Sequence, residues 1–156
     1  MPVSCCYGLL DGLNSLVMTV GYIANGGTPD NVGKILNRYY SNPKKVMSLL
    51  KLGDIYQLGA FLSNGDGVKS ETKEGFNKYT VSYKRDLKKE TCFNTRTFKD
   101  ISSSLNVLNQ FSVRYLYLLD YSTNDPTICE WLVYRIEVVD GLLECRFMNR
   151  LGNRSR

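Results

Sequence analysis

The chain has 156 residues, 43% of them hydrophobic and 22% charged, the composition of an ordinary folded domain, which argues against both a disordered segment and a bundle of membrane helices. Its net charge of +5 sets 20 basic against 15 acidic side chains, a smaller imbalance than proteins that live on nucleic acid commonly show. It contains no histidine, which removes the commonest general base and metal ligand and favours a binding protein over an enzyme.

Cys5, Cys6, Cys92, Cys129 and Cys145 make an odd set without CxxC spacing. Reduced, mostly buried thiols are expected, with no metal site and no cofactor. No apolar run reaches the roughly 18 residues of a membrane helix, and the first residues lack the layout of a signal peptide. No membrane association is expected, and the chain is placed in the cytosol.

Val3 to Leu10 and Leu16 to Ile23 are apolar, β-prone stretches joined by Asp11-Gly12-Leu13-Asn14-Ser15, which predicts a hairpin. Thr28 followed by Pro29 supplies a cap and a first-turn proline. From Pro29 the residues Val32, Ile35, Leu36, Tyr39 and Tyr40 form one helical stripe, with Gly33 inside the helix. Asn42-Pro43 repeats the capping signal for a second helix carrying Val46, Leu49 and Leu50, ended by Gly53.

Glycines and charges over Ser63 to Asn77 predict a surface loop. Lys78 to Asp86 then alternates Tyr79, Val81 and Tyr83 against polar neighbours, the period of a half-buried strand ending near Asp86. Thr97 and Asp100 have the form of a capping box for a third helix with Phe98, Ile101, Leu105 and Leu108 on its stripe, stopping by Asn109. Val113 to Tyr121, Ile128 to Val139 and Leu142 to Met148 read as strands, the last two joined by Asp140-Gly141 as a two-residue hairpin. This order predicts a single α+β domain over residues 1–150, an antiparallel sheet with about three helices packed on one face. Residues 151–156 are expected to form a flexible basic tail.

Two segments stand out as candidate binding sites. Tyr83, Lys84, Arg85 and Asp86, placed at a strand end, would grip a phosphate or carboxylate, Arg85 offering its fork and Asp86 holding it. The competing reading is a surface ion pair of small energetic weight. Asn25, Gly26, Gly27 and Thr28 would present backbone N–H groups to an anion ahead of a helix. Here the competing reading is that the glycines serve only the turn. Asp54 is expected to cap its own turn through an Asx-type bond. The eleven tyrosines, among them Tyr115, Tyr117, Tyr121 and Tyr134, either pack one face of the sheet or stack on a partner.

In order along the chain, Tyr22 to Gly33, Leu52 to Gly59 and Tyr83 to Asp86 resemble three motifs of a set of small uncharacterised bacteriophage and prophage proteins. The matches are Tyr22, Gly27, Pro29, Val32 and Gly33; Leu52, Gly53, Asp54, Ile55, Leu58 and Gly59; and Tyr83, Arg85 and Asp86. Where that set carries His, Trp and Asp, this chain has Ala24, Asn25 and Gly26, and Lys84 replaces a second His. The resemblance implies a phage or mobile-element origin and a bacterial host cytosol. The expected function is non-catalytic: binding and modulating a host protein, with a CRISPR-type defence system as a target. The alternative is a nucleic-acid or nucleotide-binding protein with weak phosphodiester chemistry at Tyr83, Arg85 and Asp86.

Overall fold

The structure, a computed structural model, describes residues 3–11, 17–62, 75–120 and 129–151. Strands β1 (Ser4–Asp11) and β2 (Val17–Asn25) pair antiparallel, Cys5 opposite Ile23 and Asp11 opposite Val17. Their connection, residues 12–16, lies outside the described residues. After β2, Gly26 takes a positive φ of 73° and turns the chain into a π-helical turn, Pro29–Gly33. Helix α1 (Lys34–Tyr39) continues from it without a break. The proline starts the helical path as the sequence predicts, but the first turn is wider than an α-turn, the Gly33 N–H reaching the Thr28 carbonyl at 3.3 Å.

Helix α2 (Pro43–Leu50) begins at Asn42, whose side chain accepts the Lys44 N–H at 2.8 Å. It ends where Gly53, at φ 80°, returns its N–H to the Leu50 carbonyl. Three short strands follow: β3 (Ile55–Gln57), β4 (Val81–Ser82) and β5 (Arg96–Phe98). Then come α3 (Ile101–Gln110), β6 (Val113–Asp120), β7 (Glu130–Val139) and β8 (Leu142–Arg150). Asp140 and Gly141, both at positive φ, close the β7–β8 turn, the left-handed pair that a two-residue hairpin requires.

The predicted sheet was purely antiparallel; the observed one is mixed. Its order is β4-β3-β2-β1-β6-β7-β8, with β5 lying against the first half of β2. β1 runs parallel to β6, and β2 parallel to β3. The β2–β3 pair follows from a helical connection, since a chain that returns through a helix re-enters the sheet in its original direction; β6 follows β5 through α3, and β5, antiparallel to β2, already runs with β1. The prediction of helices on one face also fails. Cys5, Tyr7 and Leu9 of β1 pack with α1 and α2, whereas the intervening Cys6 packs with Leu108 of α3. Strand β6 alternates likewise, Tyr117 and Leu119 on one side and Leu116 and Leu118 on the other. Strands covered on both faces are apolar throughout, and β6 shows this in Tyr115 to Leu119.

Other boundaries shift. The strand expected from Lys78 to Asp86 shrinks to β4 plus a single bridge of Tyr79 to Phe61. Thr97 lies in β5, and the capping box belongs to Asp100 with Ser103, whose N–H reaches Asp100 Oδ1 at 2.8 Å. β8 runs on to Arg150, and Leu151 donates its N–H to the Trp131 carbonyl at 2.8 Å. Most of the expected loop, residues 63–74, together with Tyr121 and residues 152–156, lies outside the described residues. Among the described residues no helix is long and apolar enough to cross a membrane.

Candidate functional site

Tyr83 to Asp86 form a tight turn after β4, not the end of a regular strand. The turn closes because Asp86 folds back over Ser82: the Ser82 N–H donates to Asp86 Oδ2 at 2.8 Å, and the Asp86 N–H donates to the Ser82 carbonyl at 3.1 Å. Arg85 lies against the same carboxylate through Nε at 3.0 Å and Nη2 at 2.8 Å. Its remaining reach goes inward, Nη1 to the Leu62 carbonyl and Nη2 to the Thr80 carbonyl, each at 2.8 Å.

The guanidinium thus ties its own turn, through Asp86 and Thr80, to the distant segment at Leu62. A phosphate or carboxylate ligand would have to displace Asp86 from it, so the geometry brings the four predicted residues together but engages Arg85 within the protein. Burial pushes the Asp86 carboxyl up, yet the Arg85 and Ser82 hydrogen bonds and the Arg85 charge outweigh it and hold the carboxyl below its ordinary value. Lys84 points outward and is exposed. Tyr83 packs edge-on against Tyr56 at 5.6 Å, and burial raises its phenol pKa.

Asn25 to Thr28 are similarly engaged. Asn25 Nδ2 donates to the Tyr56 carbonyl at 3.0 Å, and the Gly27 N–H donates to the Val3 carbonyl at 2.8 Å. The Gly27 carbonyl accepts the buried Tyr117 hydroxyl at 2.7 Å. A Cβ on Gly27 would lie 2.8 Å from the Val3 carbonyl oxygen, so this glycine is needed for a close approach of backbones. Asp54 is not an Asx cap: its Oδ2 accepts the Phe93 N–H at 3.2 Å, tying β3 to the segment before β5.

The surface with open capacity lies elsewhere. A cleft of about 550 Å³ runs between α2 and the first half of β2, walled by Leu9, Val17, Met47 and Leu50 and edged by Lys51 and Thr95. Thr95 fixes one wall, its hydroxyl donating to the Leu50 carbonyl at 2.9 Å. Met47 is 50% exposed at the lip. The cleft is large enough for several apolar side chains. Met47 falls outside the Val46, Leu49 and Leu50 stripe, and that apolar residue on the wet face of α2 was the one sequence signal for the cleft. No family model, no curated protein and no solved structure matches this chain.

Proposed function

We propose that this chain is a non-catalytic accessory protein of phage or mobile-element type that binds and modulates a bacterial host protein in the host cytosol. A CRISPR-type defence system is the target class proposed. The observation that carries the binding role is the cleft beneath α2, apolar on both walls and lipped by the half-exposed Met47. Methionine is flexible and polarizable, so it adapts to an incoming apolar surface. Lys51 at the rim adds one cation that would orient a partner carboxylate.

Affinity capture from bacterial lysate, with and without nuclease, tests this reading. The expected result is a host protein retained after nuclease treatment. Recovery of nucleic acid alone, lost on nuclease treatment and steeply salt-dependent, would instead support a nucleic-acid-binding protein.

A further inference from the structure

Among the described residues β8 lies at the edge of the sheet, bonded to β7 on one side. A two-residue turn closes on a hydrogen-bonded pair, here Val139 with Leu142, so Leu142, Glu144 and Arg146 aim their backbone groups at β7. Leu143, Cys145 and Phe147 therefore aim theirs away from the sheet. Such an edge is a template for another strand unless charge, proline or a covering element blunts it. This edge carries charges of both signs, Glu144 and Arg146, and beside them exposes large apolar residues: Leu142 at 67%, Phe147 at 47% and Met148 at 43%.

The charges on β8 are mismatched to its own neighbour. In the β7–β8 register Glu144 stands directly opposite Glu137, and Arg146 directly opposite Arg135, arrangements that destabilise a sheet. Glu137 partly relieves them by sitting between both arginines, its Oε2 3.4 Å from Arg146 Nη2 and its Oε1 3.5 Å from Arg135 Nε. Against a second copy of itself, the same strand is complementary. With two β8 strands antiparallel about an axis through Cys145, Glu144 faces Arg146 and Arg146 faces Glu144 of the second copy. Leu143 faces Phe147, the regular pairing ending there because Met148 is the unpaired residue of the irregularity between Phe147 and Asn149. Cys145, Leu143 and Phe147, whose N–H and C=O groups point outward, then meet one another as hydrogen-bonded pairs.

Neighbouring registers lose this match. An axis at Glu144 opposes two glutamates, one at Arg146 opposes two arginines, and one at Leu143 sets Glu144 against Leu142. An axis at Phe147 sets Arg146 against Met148. We propose that β8 is a dimerisation edge, pairing antiparallel with β8 of a second copy of this chain about an axis through Cys145, so that the sheet continues across both molecules. On the α3 face, Leu143 and Phe147 line a cavity of about 740 Å³ together with Ile101 and Leu105. The second copy's Phe147 extends that apolar lining beside Leu143.

The test is the mass in solution of the full chain by sedimentation velocity across a concentration series. The wild-type protein is expected at twice the monomer mass. Glu144→Arg leaves only arginine at the paired positions, and Arg146→Glu leaves only glutamate. Each variant alone is therefore expected to be monomeric while keeping the wild-type circular dichroism spectrum. Inside one chain Glu144→Arg sets an arginine opposite Glu137, and Arg146→Glu gives up the contact with Glu137 but sets a glutamate opposite Arg135, so each change has a compensating partner within the monomer. An equimolar mixture of the two variants is expected to regain the dimer mass, because the heterodimer restores both opposite-charge pairs. A wild-type monomer at every concentration, single variants that dimerise like wild type, or a mixture that stays monomeric would each overturn the proposal.

Discussion

Arg85, Asp86 and Asn25, which look like ligand-binding chemistry in the sequence, make hydrogen bonds within the chain. Arg85 joins Asp86, Leu62 and Thr80, and no local pattern announces the Leu62 carbonyl, which lies 23 residues away and is supplied only by the folded chain. Truncation by Arg85→Ala is expected to cost about 1 kcal/mol, below the usual range for charged hydrogen bonds because a third of the side chain is exposed and screened by solvent. Urea denaturation measures it. Asp86 adds a pH dependence with a definite sign. Its folded value lies below the ordinary 3.8, so the folded chain binds fewer protons than the unfolded one. Its stabilisation is complete above that ordinary value and disappears as pH falls through the lower folded value. The stability gap between wild type and Asp86→Asn should therefore narrow from pH 7 to acid; a gap independent of pH would contradict the clasp. Gly33 was legible as a helix residue, and a Cβ there would sit 3.4 Å from Tyr117 Cε1. Alanine fits with a small adjustment, whereas Gly33→Leu should lose about 1–3 kcal/mol through overpacking. Unchanged thermal stability of the leucine variant would show that the helix does not approach β6 this closely.

Elements with a complete local signature were readable, and those held by distant partners were not. α2 carried its cap, its proline, its apolar stripe and its terminal glycine in sequence order, and the structure uses each of them. Asn42→Ala should accordingly cost about 1 kcal/mol, through loss of the bond to the Lys44 N–H. Equal chemical-denaturation midpoints for the two proteins would remove that cap from the account. β3 and β5 have three residues each, too few to display an alternation, and both exist because β2 offers them an edge. The long alternating run before Asp86 misled for the opposite reason: Tyr79, Val81 and Tyr83 keep strand period, but Asp86 captures the Ser82 N–H and turns the chain.

At the scale of the molecule, strand and helix content was legible while direction and layering were not. The run Tyr115 to Leu119 is apolar without alternation, which fits a strand covered on both sides, yet nothing local to it names β1 as its parallel neighbour. The candidate site followed the same rule, since the cleft needs Leu9 and Val17 from the hairpin, Met47 from α2 and Thr95 from the segment before β5. Its role as a docking surface is the central claim, and Met47 is its most direct probe because half of that side chain is exposed. Glutamate is a good helix former, so Met47→Glu should keep α2 intact while placing a charge at the lip. The decisive measurement is calorimetric titration of the captured host protein with wild type and with Met47→Glu, after matching their thermal stability. At least a tenfold loss of affinity in the variant, about 1.4 kcal/mol or more, is predicted; equal affinity would contradict the cleft as the binding surface.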